Sequence, residues 1–285
     1  MAYTNNVAAL NPQNWADMIQ ENLYKELVAM KVADVKLKKE LSAGTQVHFP
    51  YFGSLSATAY VKGTDVTVQA LGSTDEYLTV DKQYESSFYL DTIDKKQNLY
   101  SAMEAGVREA TDAIKQQIET DFFAQVTNAG ATLTKADLAA GGTGDIVVTT
   151  TNIIEVFSKG RALLGKALKG KRAVAVVTYN VASVIEQKMA SAGFSVQDAA
   201  LKNGYAGSFM GWEIYVSENL STETSGFHCY LGAAESISLA LQIAPTVKID
   251  SNPLTFGDIV KTLAVYGVKV FTRGSERFLD LKVTA

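Results

Sequence analysis

The sequence predicts an α+β fold, and three observations support this. Residues 44–90 alternate β-branched and aromatic residues with polar ones, residues 95–128 follow a helical period, and short apolar segments typical of strands recur toward the C-terminus. The 285 residues are 47% hydrophobic and 20% charged, which is a globular balance. A chain of this length forms one or two domains with a sizeable core.

Charge and cysteine content exclude several function classes. There are 26 Lys and Arg against 30 Asp and Glu, a net charge of −4, so the chain as a whole offers no strongly phosphate-neutralising surface. One cysteine, Cys229, cannot form an intrachain disulfide or a cysteine-rich zinc site. With only two histidines, His48 and His228, a histidine-rich metal site is excluded. We therefore expect no cofactor and no metal ion.

The N-terminal region predicts a polar arm followed by a helix. Asn11 and Pro12 suit a helix start, and apolar residues then recur at helical spacing up to Met30. The first basic residue is Lys25, so no targeting signal is expected and the mature chain is expected to begin at this N-terminus. The next stretch, 41–61, has no formal charge. Its apolar residues alternate with polar ones, which predicts a strand and not a membrane helix.

Residues Gly44 to Leu90 predict a long β excursion shaped like a hairpin. Alternating pairs such as Val66 and Val68 are interrupted by glycines suited to turns. An isolated hairpin is only marginally stable in water, and this one is too polar on its second side to form a core strand pair. The surface that packs against this hairpin must therefore come from outside the hairpin.

Residues 95–128 give the clearest helix, with one apolar stripe and charged residues around the rest. The stripe contains Leu99, Met103, Val107, Ala110, Ile114, Ile118 and Phe122. A loop rich in small residues follows, and a second amphipathic helix is predicted over 151–168.

The remaining chain predicts a mixed region and closing strands. An apolar strand at Ala173 to Thr178 precedes a helix capped by Asn180 and ending at Gly193. Strands are predicted at 212–216, 227–231 and 237–243, the last with apolar residues on alternate positions. Leu279, Leu281 and Val283 alternate with polar residues, which predicts a terminal strand that buries one face.

Residues Gly160 to Ala167 match the spacing of a phosphate-binding P-loop except at the last position. A P-loop has Ser or Thr there to hold magnesium, and it needs a flexible loop after a strand. Ala167 has no hydroxyl, and the helical stripe from Ile153 to Leu168 runs through the motif. The spacing is therefore attributed to chance.

His228 and Cys229 are sequence neighbours in a strand-like segment, where adjacent side chains point to opposite faces. They cannot form a nucleophile and base pair by adjacency. A pairing of Cys229 with His48 in space remains open, but His48 lies between Val47 and Phe49 in the β excursion, and a strand histidine without a catalytic role is the favoured interpretation.

Positive charge is concentrated in residues 159–172, which contain no acidic residue. The cluster consists of Lys159, Arg161, Lys166, Lys169, Lys171 and Arg172. Lys166, Lys169, Lys171 and Arg172 are candidate contacts for phosphate or for an acidic partner. A solvated helix face and loop explains the same charges equally well.

The order of elements, together with three segments, resembles the major capsid proteins of tailed phages with the HK97-type fold. The segments are Gly44-Thr-Gln-Val-His-Phe-Pro, Leu90-Asp-Thr-Ile-Asp-Lys-Lys-Gln, and Gly204-Tyr-Ala-Gly-Ser-Phe-Met-Gly-Trp-Glu-Ile-Tyr-Val-Ser. The resemblance covers nearly the whole chain. It implies an N-terminal arm and helix (1–43), an extended β loop (44–90), a peripheral domain with a spine helix (91–130), an α/β axial domain (131–244) and return strands of the peripheral domain (245–285).

This resemblance implies a non-enzymatic protein that self-assembles, as hexamers and pentamers, into the icosahedral shell around double-stranded DNA. In the family the extended loop lies on a neighbouring subunit, so residues along it are candidate inter-subunit contacts: Phe52, Tyr60, Lys62, Asp65, Val66 and Val68. Some members crosslink through a lysine of this loop; no partner for Lys62 is evident, and self-crosslinking is not expected.

The implied partners are a separate scaffold protein, because only ten residues precede the first predicted helix, with a portal and in some phages a decoration protein. Packaged DNA is expected to bind weakly and without sequence preference, and no membrane association is expected. The implied location is the virion, after synthesis in the host bacterial cytoplasm. Alternatives are an encapsulin-like nanocompartment shell protein and, more remotely, a nucleotide-binding enzyme that uses Gly160 to Ala167.

Overall fold

The computed structural model describes residues 27–35, 44–66, 68–97, 102–191, 205–223, 226–251 and 255–284. Most of the predicted N-terminal helix lies outside these ranges, as does the predicted helix end at Gly193. The helices are α1 (Ala29–Val32), α2 (Thr92–Gln97), α3 (Ala102–Ala124), α4 (Ile153–Leu164), α5 (Tyr179–Ser191) and α6 (Thr272–Ser275). Short 3₁₀ turns span Gln125–Asn128, Lys135–Asp137 and Gly165–Leu168.

The strands form three sheets. They are β1 (Gln46–Phe52), β2 (Ser73–Thr79), β3 (Lys82–Asp91), β4 (Ala131–Leu133), β5 (Ala173–Val177), β6 (Tyr205–Phe209), β7 (Trp212–Val216), β8 (Gly226–Ala233), β9 (Ser238–Ser251), β10 (Gly257–Lys269) and β11 (Phe278–Thr284). The orders are β1-β2, β3-β10-β9 and β4-β11-β8-β5-β7-β6.

The six-stranded sheet forms the centre of the main core. Its β5 is apolar throughout, as predicted, and four of its five residues are buried, because α4 and α5 cover this sheet. Gly160 lets α4 approach closely: a Cβ at this position would lie 3.1 Å from the Leu231 side chain.

The hairpin between β6 and β7 turns at Met210 and Gly211, which both have positive φ. Turns are predicted from the sequence at Gly204, Gly207 and Gly211. The prediction is confirmed at Gly211 and wrong at Gly207, which lies within β6, and Gly204 lies outside the described residues.

The long helix α3 packs on the three-stranded sheet β3-β10-β9. Its buried stripe includes Ala110, Ile114, Ile118 and Phe122, as the sequence predicts. Helical structure precedes α3 as α2 and follows it as a 3₁₀ turn, and residues 98–101 between α2 and α3 lie outside the described ranges. The predicted long helix is thus confirmed over Ala102–Ala124.

Two of the regions expected from the sequence, 44–90 and 245–285, each contribute strands to two different sheets. Within 44–90, β3 pairs with β10 and not with the hairpin β1-β2. Within 245–285, β11 lies between β4 and β8 in the six-stranded sheet, apart from β10. Both faces of β11 are covered, because Phe278 and Asp280 are buried on one face and Leu279 and Leu281 on the other. The predicted burial of one face only is wrong for this strand.

Two other local predictions are also corrected. Helix α5 begins at Tyr179, whose N–H donates to the Glu218 carboxylate at 3.1 Å, so Asn180 lies inside the helix and is not its cap. The predicted alternation along 237–243 is confirmed for Ile237, Leu239 and Leu241, which join the main core, but it does not extend to Ile243. Ala240 is buried on the opposite face. Ile243 is then partly exposed.

A buried carboxylate joins the N-terminal part of the described chain to α3. Glu119 accepts hydrogen bonds from the Val28 backbone N–H at 3.0 Å and from Asn219 Nδ2 at 2.6 Å. Burial raises the pKa of Glu119, and these hydrogen bonds oppose that rise. The side chain thereby connects α1, α3 and the segment after β7.

Among the described residues, the structure contains no helix with the length and apolar character needed to span a membrane. The segment 41–61, which lacks formal charges, forms β1 over Gln46–Phe52, as predicted.

Candidate assembly surfaces

Residues 44–80 form an arm with two distinct parts. We define the arm base as strands β1 and β2, and the arm tip as residues 53–72. The strands pair antiparallel from Gln46 opposite Thr79 to Phe52 opposite Ser73. Beyond them the Gly53 N–H donates to the Gly72 carbonyl at 2.8 Å, which closes the tip at its neck.

The arm tip forms no strand over its described residues, so the prediction of strand structure at Val66 and Val68 is wrong. Gln69 bridges the two sides through its side chain, donating to the Ser56 carbonyl at 2.6 Å and accepting from the Ser56 N–H at 3.1 Å. Thr64 closes a turn by donating to the Val61 carbonyl. β-branched alternation cannot form a strand pair without a neighbour to complete its hydrogen bonds and packing.

The side chains that the sequence singled out as contacts are exposed, five of them on the arm tip and Phe52 at the adjoining end of β1. Val68 is 89% exposed, Val66 70%, Tyr60 69% and Phe52 64%. Lys62 and Asp65 lie between them and are also exposed. A cluster of large apolar side chains in solvent is characteristic of an interaction surface and not of a surface left free.

The arm base, in contrast, is packed onto its own subunit. Val47, Leu78 and Val80 form a small core with Ala240 and Val265, from β9 and β10. Phe49 adds a ring contact with Phe271, with centroids 5.1 Å apart. Gly267 permits the close approach, since a Cβ there would lie 2.3 Å from the Thr79 carbonyl oxygen.

Sequence reasoning missed the residues on which the arm base packs. Alternating Val47, Phe49 and Tyr51 signalled an apolar face, but nothing local identifies Phe271 or Arg273 as its partners. These residues lie more than 200 positions further along the chain.

A second candidate surface is the basic turn, residues 165–171. Gly165 and Gly170 have φ of 42° and 74°, conformations that favour glycine, and they bracket the turn. The Lys169 N–H donates to the Lys166 carbonyl at 3.1 Å, and the Lys171 N–H to the Leu168 carbonyl at 3.1 Å. Lys166, Lys169 and Lys171 are exposed and form no ion pair with the described part of the chain.

Arg172, predicted to act with these lysines, is instead paired within the subunit. Its Nε lies 3.2 Å from one Glu213 carboxylate oxygen, and its Nη2 bonds the other. The hydrogen bond from Arg172 lowers the pKa of Glu213 against the opposing effect of burial, and the same bond raises the pKa of Arg172. The charge of Arg172 is therefore largely compensated, and the lysines carry the free charge.

The P-loop-like motif does not form a phosphate cradle. Residues Gly160 to Leu164 lie in α4, the Gly165 N–H donates to the Arg161 carbonyl, and residues 165–168 continue as a 3₁₀ turn. The backbone amides of Gly160 to Leu164 are thus part of a helix, and Gly160 faces the sheet. The helical interpretation of this segment is confirmed.

His228 belongs to a buried polar cluster. Its Nδ1 lies 2.7 Å from an Asp280 carboxylate oxygen and its Nε2 lies 3.0 Å from Glu223, which also accepts from Lys282 at 2.8 Å. Burial raises the pKa of Asp280, while the hydrogen bond with His228 opposes the rise. The cluster ties β8 and β11 together at the end of the sheet.

Cys229 and His48 lie in different sheets. Burial raises the pKa of the Cys229 thiol to about 12, so the thiol stays protonated at neutral pH and is a poor nucleophile. His48 lies on β1 and pairs with Asp75 at 2.7 Å. Across the residues that the structure describes, no group of three or more His, Cys, Asp or Glu side chains is placed to hold a metal ion.

Comparison with known proteins finds a matching family model and several structures with this architecture. The model of a family described as phage capsid protein matches residues 55–277. The chain is similar to a structure from Mycobacterium phage Che8, with a TM-score of 0.76 and 22% identity over 98% of both chains. It is similar to a capsid structure of cyanophage P-SCSP1u, with a TM-score of 0.71 and 15% identity over 97% of this chain and 94% of that one.

A third similar structure is the capsid of Ralstonia phage GP4, with a TM-score of 0.68 and 13% identity over 99% of this chain and 96% of that one. At these identities the similarity establishes the fold. No curated protein sequence matches the chain significantly.

Proposed function

The chain belongs to the phage capsid protein family, and we propose that it assembles as hexamers and pentamers into a closed shell around a double-stranded DNA genome. The role of major capsid protein, expected from the sequence, is confirmed by the family match. The α+β fold of the HK97 type is confirmed by the similarity to capsid structures over nearly the full chain. The oligomeric units and the enclosed genome are the proposed part.

The exposed arm tip is the observation that supports assembly most strongly. Phe52, Tyr60, Val66 and Val68 are presented to solvent at the end of an arm whose base is packed on its own subunit. Burying a Val or Phe side chain stabilises a complex by roughly 1.5–3 kcal/mol. A second copy of the chain is the partner that would bury them, since shell assembly brings many copies of one surface together.

In a closed shell, the same contact between subunits must form at several slightly different angles. Hexamers and pentamers use the same surfaces at different angles, so the interface needs a part that adapts. The arm tip meets this need, because it is a loop held at its neck by the Gly53 to Gly72 hydrogen bond and not by a strand ladder. Lys62 and Asp65 give this adaptable contact charged groups of both signs.

Several further partners follow from this role as proposals. The proposed partners are a separate scaffold protein, a portal at one vertex and, in some phages, a decoration protein. The mature chain would reside in the virion capsid after synthesis in the host bacterial cytoplasm. We assign it no catalytic role, and the six contact residues Phe52, Tyr60, Lys62, Asp65, Val66 and Val68 remain proposed inter-subunit contacts.

Contact with packaged DNA is proposed to be weak. Lys166, Lys169 and Lys171 on the basic turn can approach phosphates, whereas Arg172 is engaged by Glu213. The chain carries a net charge of −4, which opposes tight binding to a polyanion. A weak, salt-sensitive contact would leave the genome free to move during packaging and ejection.

Neither alternative gains support from the residues that the structure describes. An encapsulin-like nanocompartment is a shell of the same fold class, but the family match is to phage capsid proteins. A nucleotide-binding enzyme would need residues 160–167 to form a loop, and they form the end of α4 and a 3₁₀ turn.

Electron microscopy of the purified full-length chain, with its scaffold protein supplied, tests the proposal directly. The expected result is closed particles whose surface shows rings of six and of five subunits. A chain that stays monomeric by sedimentation at high concentration with scaffold present would contradict it. Particles that contain only protein cargo after expression during infection would favour the nanocompartment.

A further inference from the structure

We propose that Arg273 and Glu76 form a clamp that fixes the direction of the arm relative to its own subunit, and that this direction is required for assembly. The inference rests on the proposed function, because it concerns how the arm tip is aimed at a neighbouring copy. Arg273 and Glu76 are positioning residues in this proposal, since neither lies on the arm tip itself.

The clamp is supported by residues 272–277, which are anchored to the part of the subunit outside the arm, here called the body. Helix α6 packs against the segment after β8: a Cβ on Gly274 would lie 2.4 Å from the Ser236 carbonyl oxygen. The Gly130 N–H donates to the Ser275 carbonyl at 2.9 Å, and the Ala233 N–H donates to the Arg277 carbonyl at 2.9 Å. Residues 272–277 are therefore fixed on the six-stranded sheet before they reach the arm.

Arg273 holds the first arm strand, β1. Its guanidinium carbon lies 4.8 Å from the centre of the Tyr51 ring, and its Nη2 donates to the Phe52 carbonyl at the last residue of the strand. A planar guanidinium can stack on an aromatic ring and donate a hydrogen bond at the same time. The contact therefore restrains both the position and the twist of the strand where the arm tip begins.

Glu76 holds the second arm strand, β2. Its carboxylate accepts hydrogen bonds from the Thr272 N–H at 3.1 Å and from the Thr272 hydroxyl, and Tyr51 donates to it at 3.3 Å. Lys269 supports the same strand: its Nζ donates to the Tyr77 carbonyl at 2.6 Å and lies 4.9 Å from the Tyr77 ring centre. The body thus contacts both strands, and Tyr51 connects the two contacts.

The clamp complements the apolar contacts of the arm base. The small core around Leu78 holds the end of the arm nearest the sheet, but apolar packing is not directional. Arg273 and Glu76 act about halfway or more along β1 and β2, and their hydrogen bonds have defined directions. An arm held at two points along its length keeps one direction, whereas an arm held at one point can swing.

Spin-label distances in the full-length, unassembled subunit test the clamp without relying on assembly. Labels are placed by Ser73→Cys at the outer end of β2 and by Ala162→Cys on α4, both exposed positions, so that the distance reports the direction of the arm base and not the adaptable tip. Cys229 can stay in place, because it is fully buried and its thiol pKa is about 12. The distribution of label distances is compared for the parent, Arg273→Ala, Arg273→Lys, Glu76→Gln and the control Arg108→Ala, an exposed arginine on α3.

The expected result is a distribution that broadens for Arg273→Ala and, to a smaller extent, for Glu76→Gln, with Arg108→Ala unchanged. Arg273→Lys recovers part of the restraint, because it keeps the charge but lacks the planar group. Scaffold-driven assembly should slow severalfold in Arg273→Ala at an unchanged melting temperature.

An unchanged distance distribution in Arg273→Ala overturns the clamp. A broadened distribution with normal assembly also overturns the proposal, because it shows that the direction of the arm is not required. Neither result bears on whether the arm tip contacts a neighbour, which is tested separately by replacing the tip.

Discussion

The base and the tip of the arm share one hairpin but differ in what surrounds them. At the base, Val47 and Leu78 are buried against β9 and β10. Glu76 accepts a hydrogen bond from the Thr272 N–H, and the Tyr51 ring lies against Arg273. At the tip, Val66 and Val68 are exposed and hydrogen bonds are few and local. The base is therefore part of the folded subunit, whereas the tip has apolar groups that its own subunit leaves uncovered.

This difference explains how one chain can be both stable alone and able to assemble. Stability depends on groups buried within the subunit, and assembly depends on groups that become buried only between subunits. The groups buried within the subunit lie at the base of the arm, and the groups available to a neighbour lie at the tip. The contact surface can therefore vary its conformation without weakening the core. Changes to the buried apolar side chains of the base should then affect folding, and changes at the tip should affect the shell.

Replacement of the tip should have the largest effect on assembly. In the variant, Ser54 to Leu71 are replaced by a short Gly/Ser linker between Gly53 and Gly72. We expect particles to be lost while the melting temperature changes little, because the removed residues contact almost none of the core and loop length affects closure only weakly. Electron microscopy and thermal unfolding measure the two effects. Normal shells, or an unfolded subunit, would contradict the separation of roles.

Truncation of a buried side chain at the base should have the next largest effect, on folding. Leu78 is fully buried, so Leu78→Ala should lower the free energy of unfolding of the arm base by about 2–4 kcal/mol. The matched control Val68→Ala, at an 89% exposed site, should change it by less than about 0.5 kcal/mol. Chemical denaturation checks both variants. Equal losses of unfolding free energy in the two variants would show that the base and the tip are equally buried, and would contradict the comparison.

Acid should loosen the clamp at the base. Burial favours a higher pKa for Glu76, but hydrogen bonds from Thr272 and Tyr51 and the charge of Lys269 outweigh it, so the pKa is lowered from 4.5. A lowered pKa in the folded state means that the stabilisation is present above pH 4.5 and is lost as the pH falls through the lower, folded-state value.

The measurement is the width of the distance distribution between the spin labels on β2 and α4 during acidification. We expect broadening in the parent, a broad and pH-independent distribution in Glu76→Gln, and parent-like behaviour in the exposed control Glu104→Gln. A parent arm that stays narrow when Glu76 is protonated would refute the role of this carboxylate.

The smallest expected effect concerns the basic turn, which shares the exposure of the tip but has charged instead of apolar side chains. Replacing Lys166, Lys169 and Lys171 by Ala should weaken the already weak binding of duplex DNA and lower the slope of log K against log salt by up to about 3. The control replaces Lys96, Lys135 and Lys188. Equal loss in both triple variants would assign the effect to net charge and not to the turn.

Parts of the fold with local patterns could be predicted from the sequence. The stripe of α3 and the apolar run of β5 follow from residues close in the chain, and the glycine turn before β7 follows from Gly211. The contact candidates at the tip were proposed from the family resemblance and from alternating apolar residues with no core to cover them, and the structure shows that they are exposed. The absence of strands at Val66 and Val68 was not found, because strand formation depends on that partner.

Contacts between distant segments could not be predicted. The Arg273 contact with Tyr51 and the burial of Asp280 beside His228 each depend on the sheet order. A polar side chain looks solvent-exposed in sequence unless its partner is known, and β11 was therefore expected to bury one face only. The pairing of Arg172 with Glu213 was missed for the same reason.

Hydrogen exchange of the arm, compared between the unassembled subunit and the assembled shell, tests the central claim most directly. Amides of β1 and β2 should be protected in both states, because their hydrogen bonds lie within one subunit. Amides of residues 54–71 should exchange rapidly in the subunit and become protected in the shell, where a neighbouring copy covers them. Equally rapid exchange of the tip in both states would contradict the proposal that this surface joins the subunits.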